Sequence, residues 1–481
     1  MPHISAWLRS HRLTAIVLAL TSFAVAVHIF ANWRSEARWQ RYCAEARARG
    51  VKLTLAEFTS PEIPDAENFA ALPMFRASMA GSGKRAFRFP QSKDFLQPRA
   101  QNGYPKGGRI DFQVWVEYFY GEDFITVKTD TAPRDVLRGI EHYGPEITEW
   151  RGWRIRPHCQ FPICLDAEGR IETPDMYLFW DAFDVFILRM HAHLAVHDSP
   201  AALEDFEDAF QACKALENPQ THGALSMRLC LVQKVCEQVG ESLAGQRWSK
   251  SELRKIDAAF AELRPVLDYQ RGLSAQRVSV NAFWDRLVTS RASRRGLDIM
   301  LSGTSVPDFA CMLIPRRVFR DNQFRRNQFL DELLARVSSD ELHFDPDQAL
   351  PSGPENLNGF LDDYYFHMFK RFAERAPSDA RYLISKKILA DQTRLAIALE
   401  RFRLARGVFP ETLAELAPEF IAALPVDAYS GQPPIYRREQ GGSFLLYGVG
   451  KNRRDDGGVP GAQGDDGDEI DDIWHYGPPA R

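Results

Sequence analysis

Leu13 to Ala31 reads LTAIVLALTSFAVAVHIFA, nineteen residues without Lys, Arg, Asp or Glu, and the rest of the chain contains no comparable apolar run. At about 1.5 Å of helical rise per residue the stretch covers roughly 28 Å, close to the hydrocarbon thickness of a bilayer. A helix satisfies its own backbone groups there, and Thr14, Thr21 and Ser22 can return their hydroxyls to carbonyls one turn back. The sequence therefore predicts a transmembrane anchor over residues 13–31, preceded by a short cytoplasmic leader at 1–12. Lipid is the expected partner of Leu13 to Ala31.

Two other readings compete for this stretch. Ala24-Val25-Ala26 has the small-x-small form of a signal-peptidase site, but the apolar run continues past it for five residues. A buried helix of a soluble protein is disfavoured by length. Orientation draws on opposed signals. Arg9 and Arg12 precede the span, while Arg34, Arg38, Arg41, Arg47, Arg49 and Lys52 follow it. That count alone would hold the bulk of the chain in the cytoplasm. An apolar N-terminal segment behind a short basic leader is nonetheless the form of an uncleaved export signal, and long domains translocate largely regardless of charge. The expectation is a single-pass inner membrane protein with its bulk extracytoplasmic, in the periplasm.

The 481 residues, 45% hydrophobic and 26% charged, are enough for a sizeable core and two or three units. A net charge of -4 offers no general basic surface, so no nucleic acid is expected as a partner. Ala80-Gly81-Ser82-Gly83-Lys84 resembles the end of a P-loop. However, Ser78 stands where its first glycine belongs and Arg85 where its metal-holding hydroxyl belongs, so no nucleotide is expected either. The seven cysteines are too scattered for a zinc motif. Cys159 and Cys164 could close a small disulfide ring. Cys213 and Cys230, about equally far from the Asn218-Pro219 break, could face one another.

The fold class expected is mainly α, with a helical array behind the anchor and a small α+β unit at the C-terminus. The membrane helix should run on for about four turns, with Trp33 and Trp39 near the interface and Gly50 as C-terminal cap. A juxtamembrane helix and loop-rich segment follow to residue 132, and Asp65 to Leu72 suits a short turn of helix. The helical domain is expected at 133–376. Pro133 to Trp150 reads as one amphipathic helix. Thr173-Pro174-Asp175 opens a helix to about His197, and Ser199-Pro200 opens one to about Glu217. A helix follows from about Thr221 to Ala244, and Ser249 to Glu252 forms a capping box. Leu301 to Gln323 reads as irregular, Phe329 to Val337 as a short helix, and Phe360 to Arg375 and Ser378 to Arg406 as two helices. Tyr364, Phe366, His367, Phe369 and Phe372 are expected in the core.

His193 and His197, four apart, would share a helix face and could hold a metal, whereas His191 points away. No Glu lies between them as in a zinc protease helix. The alternative function, a membrane-bound metal-dependent hydrolase, rests on this pair.

The C-terminal unit, 377–481, has its own order. A long helix ends at Arg406-Gly407-Val408-Phe409-Pro410. A turn follows at Tyr429-Ser430-Gly431-Gln432, then two strand-like runs around Gln440-Gly441-Gly442, which suits an antiparallel hairpin. An acidic Gly/Asp loop comes last, with eight Asp or Glu and no Lys or Arg from Asp455 to Asp472. This order resembles the globular half of a type II secretion major pseudopilin. There a long helix with a G-x-[YF]-P ending leads to a small antiparallel sheet and a calcium-binding loop. Gly450, the Gly457-Gly458 pair and the closing Asp472-Ile473 match the family. Asn452 replaces its usual aspartate, the loop is longer, and the Phe-Thr-x-x-Glu type leader is absent. The whole architecture is also similar to that of bacterial membrane-anchored proteins with a helical middle.

The resemblance implies a secretion-related envelope partner and calcium as cofactor, with Asp455, Asp456, Asp466 and Asp472 as metal ligands. Loop physics points the same way, because eight like charges repel unless a cation joins them and glycines let carbonyls turn inward as hard oxygen ligands. The competing reading is a solvated acidic tail. No catalytic residue follows from the pattern. The expected function is that of a membrane-anchored extracytoplasmic binding or structural protein of the bacterial envelope.

Overall fold

The computed structural model describes residues 12–59, 61–80, 87, 110–129, 131–162, 175–217, 221–294, 308–337, 367–458 and 472–476. It is mainly helical. Helix α1, Arg12–Ala48, holds the apolar run and continues four turns beyond it, closed by Gly50 at φ 79°. Its two halves meet different surroundings. Ile16, Leu20, Phe23, Ile29 and Phe30 are exposed, whereas Ser35, Trp39, Tyr42, Cys43 and Ala46 are buried in the fold. The helix is long and apolar enough to cross a membrane, and none of its most apolar window is buried. Trp33 is exposed at the end of the apolar run. Trp39 stacks on Tyr42 inside the protein and does not sit at the expected interface.

After α2, Leu55–Phe58, one-turn helices at Asp65–Glu67 and Phe69–Ala71 lead into α3, Pro73–Met79. Helix α4, Phe112–Gly121, is capped by Asp111, whose carboxylate accepts from Gln113 N. The stretch expected as one helix from Pro133 to Trp150 is two. Helix α5, Ala132–Ile140, gives way to a 3-10 turn, and α6, Gly144–Arg154, restarts with Pro145 in its first turn. Proline has no N–H to continue α5 but fits the start of a new helix.

Helix α7, Met176–Ala195, is buried on nearly every side, as expected of a helix hydrophobic all round. Phe75 of α3 and Trp150 of α6 pack with Phe69, Phe179 and Phe186 in one aromatic cluster around it. Two starts are displaced from expectation. Asp175 itself caps α7 by accepting from Tyr177 N, while residues 163–174 lie outside the described set. Helix α8, Ser199–Ala215, is capped by Asp198, which frees Ser199 to hydrogen-bond Glu252.

Helices α9, His222–Ala244, and α10, Lys250–Ala261, begin as the sequence indicates, with Thr221 and the Ser249/Glu252 capping box. Helix α11, Pro265–Thr289, follows. The segment expected to be irregular then forms α12, Asp308–Leu313, and the long α13, Arg316–Arg336. Apolar periodicity misses α13 because its interior face carries buried Arg320, Asn322, Gln323 and Asn327. Helix α14, His367–Arg406, runs through Pro377 as one element where two were expected, at the cost of one backbone hydrogen bond. The expected division at residue 377 falls within it. Residues 360–366, including Tyr364 and Phe366, and the side chains of His367, Phe369 and Phe372 lie outside the described set.

Helix α14 lies against α9, α10, α11 and α13. Leu225 and Leu229, Tyr269, Leu330 and Leu333, and Leu383 and Ile384 close that junction. Strands β1, Ile435–Glu439, β2, Ser443–Gly448, and β3, Asp472–Tyr476, form an antiparallel sheet in the order 1-2-3. The hairpin turn has Gly441 at φ 83° and Gly442 at φ 79°, a left-handed conformation that favours glycine, and the register places Glu439 opposite Ser443.

Candidate functional site

The expected calcium ligands lie at one end of the sheet. Strand β2 ends at Gly448, which pairs with Asp472 of β3. The chain then turns at Gly450, φ 60°, into a loop root folded against β1 and β2. Asn452 Oδ1 accepts from Arg454 N at 2.9 Å, and its Nδ2 donates to Asp456 at 2.6 Å. Asp455 Oδ1 accepts from the Tyr447 hydroxyl at 2.8 Å and from Gly457 N at 2.9 Å. Arg437 lies over the Tyr447 ring, 5.5 Å from its centroid, and donates to the Gly457 carbonyl. Gly458, at φ 66°, rests on Tyr447 so closely that an added Cβ would lie 2.8 Å from the ring.

The fold thus brings Asp455, Asp456 and Asp472 to the same end of the sheet. Asp466, within 459–471, lies outside the described residues. Among the described residues no three His, Cys, Asp or Glu side chains stand ready to hold a metal ion. A complete calcium cage would need oxygens from 459–471.

The histidine pair is arranged differently from the expectation. Helix α7 ends at Ala195, and His197 lies beyond it with φ 65°. The i,i+4 relation needs continuous helix, so His193 and His197 do not share a helix face. His191 is buried with Nε2 3.0 Å from Gln238 Oε1, and burial lowers its pKa to about 4.

His193 instead faces α8. Its Nε2 is 3.7 Å from Asp205 Oδ2 and its Nδ1 is 3.6 Å from Asp198 Oδ2, both beyond hydrogen-bond reach. Asp205 and Asp208, fully buried and one turn apart, meet two arginines one turn apart on α6. Arg151 reaches Asp205 at 2.7 Å and Asp208 at 2.6 Å, and Arg154 reaches Asp208 at 2.7 Å. Burial pushes the Asp205 carboxyl up to about 7 against the pull of Arg189 and Arg151. Burial, helped by Arg189, holds the His193 imidazole below its usual range. His193 and Asp205 thus lie side by side, both disfavoured in their charged forms by burial and with no hydrogen bond between them, while Arg151 holds the carboxylate in place. The sequence reading did not find this network. Its only trace there is matched i,i+3 spacing, Arg151/Arg154 and Asp205/Asp208.

The cysteines are unbridged among the described residues. Cys213 is buried and free, and Cys230 Sγ turns 3.0 Å from the Tyr382 hydroxyl on α14. Cys159 is free, and Cys164 lies outside the described set, as do Gly81 to Lys84 of the P-loop lookalike.

A scan against protein-family models, a search of curated proteins and a search of solved structures each find no match to this chain.

Proposed function

We propose that this chain is a single-pass inner membrane protein of the bacterial envelope, its bulk periplasmic, acting as a binding or structural protein with calcium ordering its acidic C-terminal loop. The observation that carries the reading is the division of α1, apolar and uncovered over its first half and built into the fold over its second. An apolar cylinder of that size is a liability in water and satisfied in a bilayer. The apolar run continues for five residues past Ala24-Val25-Ala26, which favours an anchor over a removed signal. The envelope or secretion-system partner and the periplasmic side rest on the C-terminal resemblance, and the arginines after the span weigh against export.

Topology is tested by protease digestion of the C-terminal tail in intact cells and in spheroplasts, with a high-salt wash of the membranes. Digestion in spheroplasts alone, with the protein retained in the membrane, is the expected result. A protected tail overturns export, and release to the soluble fraction overturns the anchor.

A second reading, the metal-dependent hydrolase, now draws on His193 beside Asp205 and no longer on a shared face with His197. Stoichiometric zinc that disappears in His193→Ala would favour it. Unchanged metal content is the expected result.

A further inference from the structure

Helix α13 begins where the apolar run ends. The Arg317 N–H donates to Asn32 Oδ1 at 2.9 Å, and Asn32 directly follows Ala31. From there the partners ascend together. Glu36 meets Arg320, Arg38 meets Asp321, and Arg49 meets Asp331. Helix α13 therefore runs parallel to α1 and away from the span. Helix α11 is antiparallel to α13, with Arg277 at Asp331, Asn281 at Asn327 and Asp285 at Arg320. Its C-terminal end and the one-turn helix Ala292–Arg294 return to the level of Asn32.

The turn between α12 and α13 is fixed at that level. The buried Arg294 guanidinium donates to the carbonyls of Leu287, 2.7 Å, Met312, 3.3 Å, and Ile314, 2.7 Å. This rigid turn presents Leu313, 71% exposed, beside exposed Arg316 and Arg291, both close enough to Arg294 to disfavour its charge. Exposed Trp33 and Arg34 stand at the same height on α1. The nearby carboxylates Glu36 and Asp285 are both engaged by Arg320. Among the described residues none forms an ion pair with Arg34 or Arg291, and Arg316 is met only by the field of Glu36, which Arg320 already holds.

We propose that Leu313, Arg34, Arg291 and Arg316 form a second membrane contact, a foot resting on anionic phospholipid headgroups beside the span, which presupposes that Leu13 to Ala31 crosses the bilayer. Leu313 enters the acyl boundary while the guanidiniums take lipid phosphates in forked hydrogen bonds. The occupant follows from continuity with the span. A surface level with the end of a membrane helix faces the headgroup layer, and its excess positive charge complements phosphate. Because the turn is already pinned, contact costs little ordering entropy.

The test is photocrosslinking of the full chain in vesicles of phosphatidylcholine, with and without phosphatidylglycerol, using a phospholipid that carries a diazirine near its headgroup. Adducts should map to the span peptide and to the peptide bearing Leu313, the second enriched by phosphatidylglycerol. Arg34→Glu and Arg291→Glu, both at exposed positions, should each cut the second adduct roughly five-fold or more and leave the first unchanged. Leu313→Asp should do the same without changing the thermal midpoint. Adducts on the span alone, or a second adduct indifferent to these substitutions, overturn the foot. Adducts on neither peptide overturn the membrane reading itself.

Discussion

Asp205→Asn should change how the stability of the protein depends on pH. With the folded-state carboxyl near 7 and an ordinary value of 3.8, the folded protein binds this proton more tightly than the unfolded chain does. Its contribution is therefore intact below 3.8, falls as pH rises toward 7, and is fully lost above 7. At about 1.4 kcal/mol per pKa unit, the loss between pH 5 and pH 8 comes to about 2 to 3 kcal/mol. His191 works in the opposite sense. Its value lies near 4 against an ordinary 6.5, so it withholds stability at low pH and restores about 2 kcal/mol as pH rises over the same interval. These two slopes oppose each other, and His193, also held below its usual range, acts in the same sense as His191. Asn copies the neutral acid and cannot ionise, so the substitution removes the Asp205 slope alone. Chemical unfolding in detergent micelles at pH 5 and pH 8 reads the result. The gap between variant and wild type should move by about 2 to 3 kcal/mol in the variant's favour from pH 5 to pH 8, whatever constant offset it carries. A gap equal at the two pH values would show that the arginines keep Asp205 ionised throughout and that burial does not win.

Three further outcomes are expected. Asp331 receives Tyr42, Arg49 and the buried Arg277, so Asp331→Ala leaves a buried cation unpaired and should cost about 3 to 5 kcal/mol, read by unfolding and by new proteolysis near Arg49. Gly458→Ala adds a left-handed penalty of about 1 to 2 kcal/mol, plus displacement of Tyr447, and should lower the unfolding midpoint in calcium and in EDTA alike. Calcium at about 100 times its Kd should add roughly 2.7 kcal/mol to the C-terminal unit, with magnesium adding much less. Asp472→Ala should abolish that gain while Asp465→Ala largely preserves it, and equal midpoints in EDTA, calcium and magnesium would leave only an acidic tail.

What the sequence disclosed was what a single turn of chain decides. Thr221, the Ser249/Glu252 box, Gly50 and the Gly441-Gly442 turn act within four residues, and each sits where its chemistry requires. Helix α13 escaped because its stability is non-local. Its buried Arg320, Gln323 and Asn327 look like surface residues until Glu36, Asp285 and Asn281 arrive from elsewhere in the chain. The same holds for Asp205 and Asp208, whose partners lie more than fifty residues earlier. His197 was misplaced for the opposite reason, a local one. Its positive φ ends a helix that apolar pattern alone would carry past it. At the acidic loop, the resemblance implied Asp455, Asp456, Asp466 and Asp472, and the register of Gly448 with Asp472 brings the chain back to the loop root.

The way α1 joins the body decides whether it can act as a flexible tether or as a rigid post. A flexible tether needs only length, and its residues stay solvated. Here Ser35 and Arg38 share Asp321, Glu36 takes Arg320, and Tyr42 and Arg49 share Asp331, all along one parallel helix. Exposed ion pairs taken singly contribute little, but Trp39, Cys43 and Ala46 are buried beneath these and exclude water from the seam. Such a seam holds α1 and α13 as one unit. With Leu13 to Ala31 in a bilayer, as proposed, the height of α13 and of α11 behind it would be set by where the apolar run ends at Ala31. A helix free to swing would let an exposed leucine and unpaired arginines find water in any direction. A helix held in this seam keeps Leu313, Arg291 and Arg316 level with Asn32, so the proposed foot depends on the seam as much as on the span.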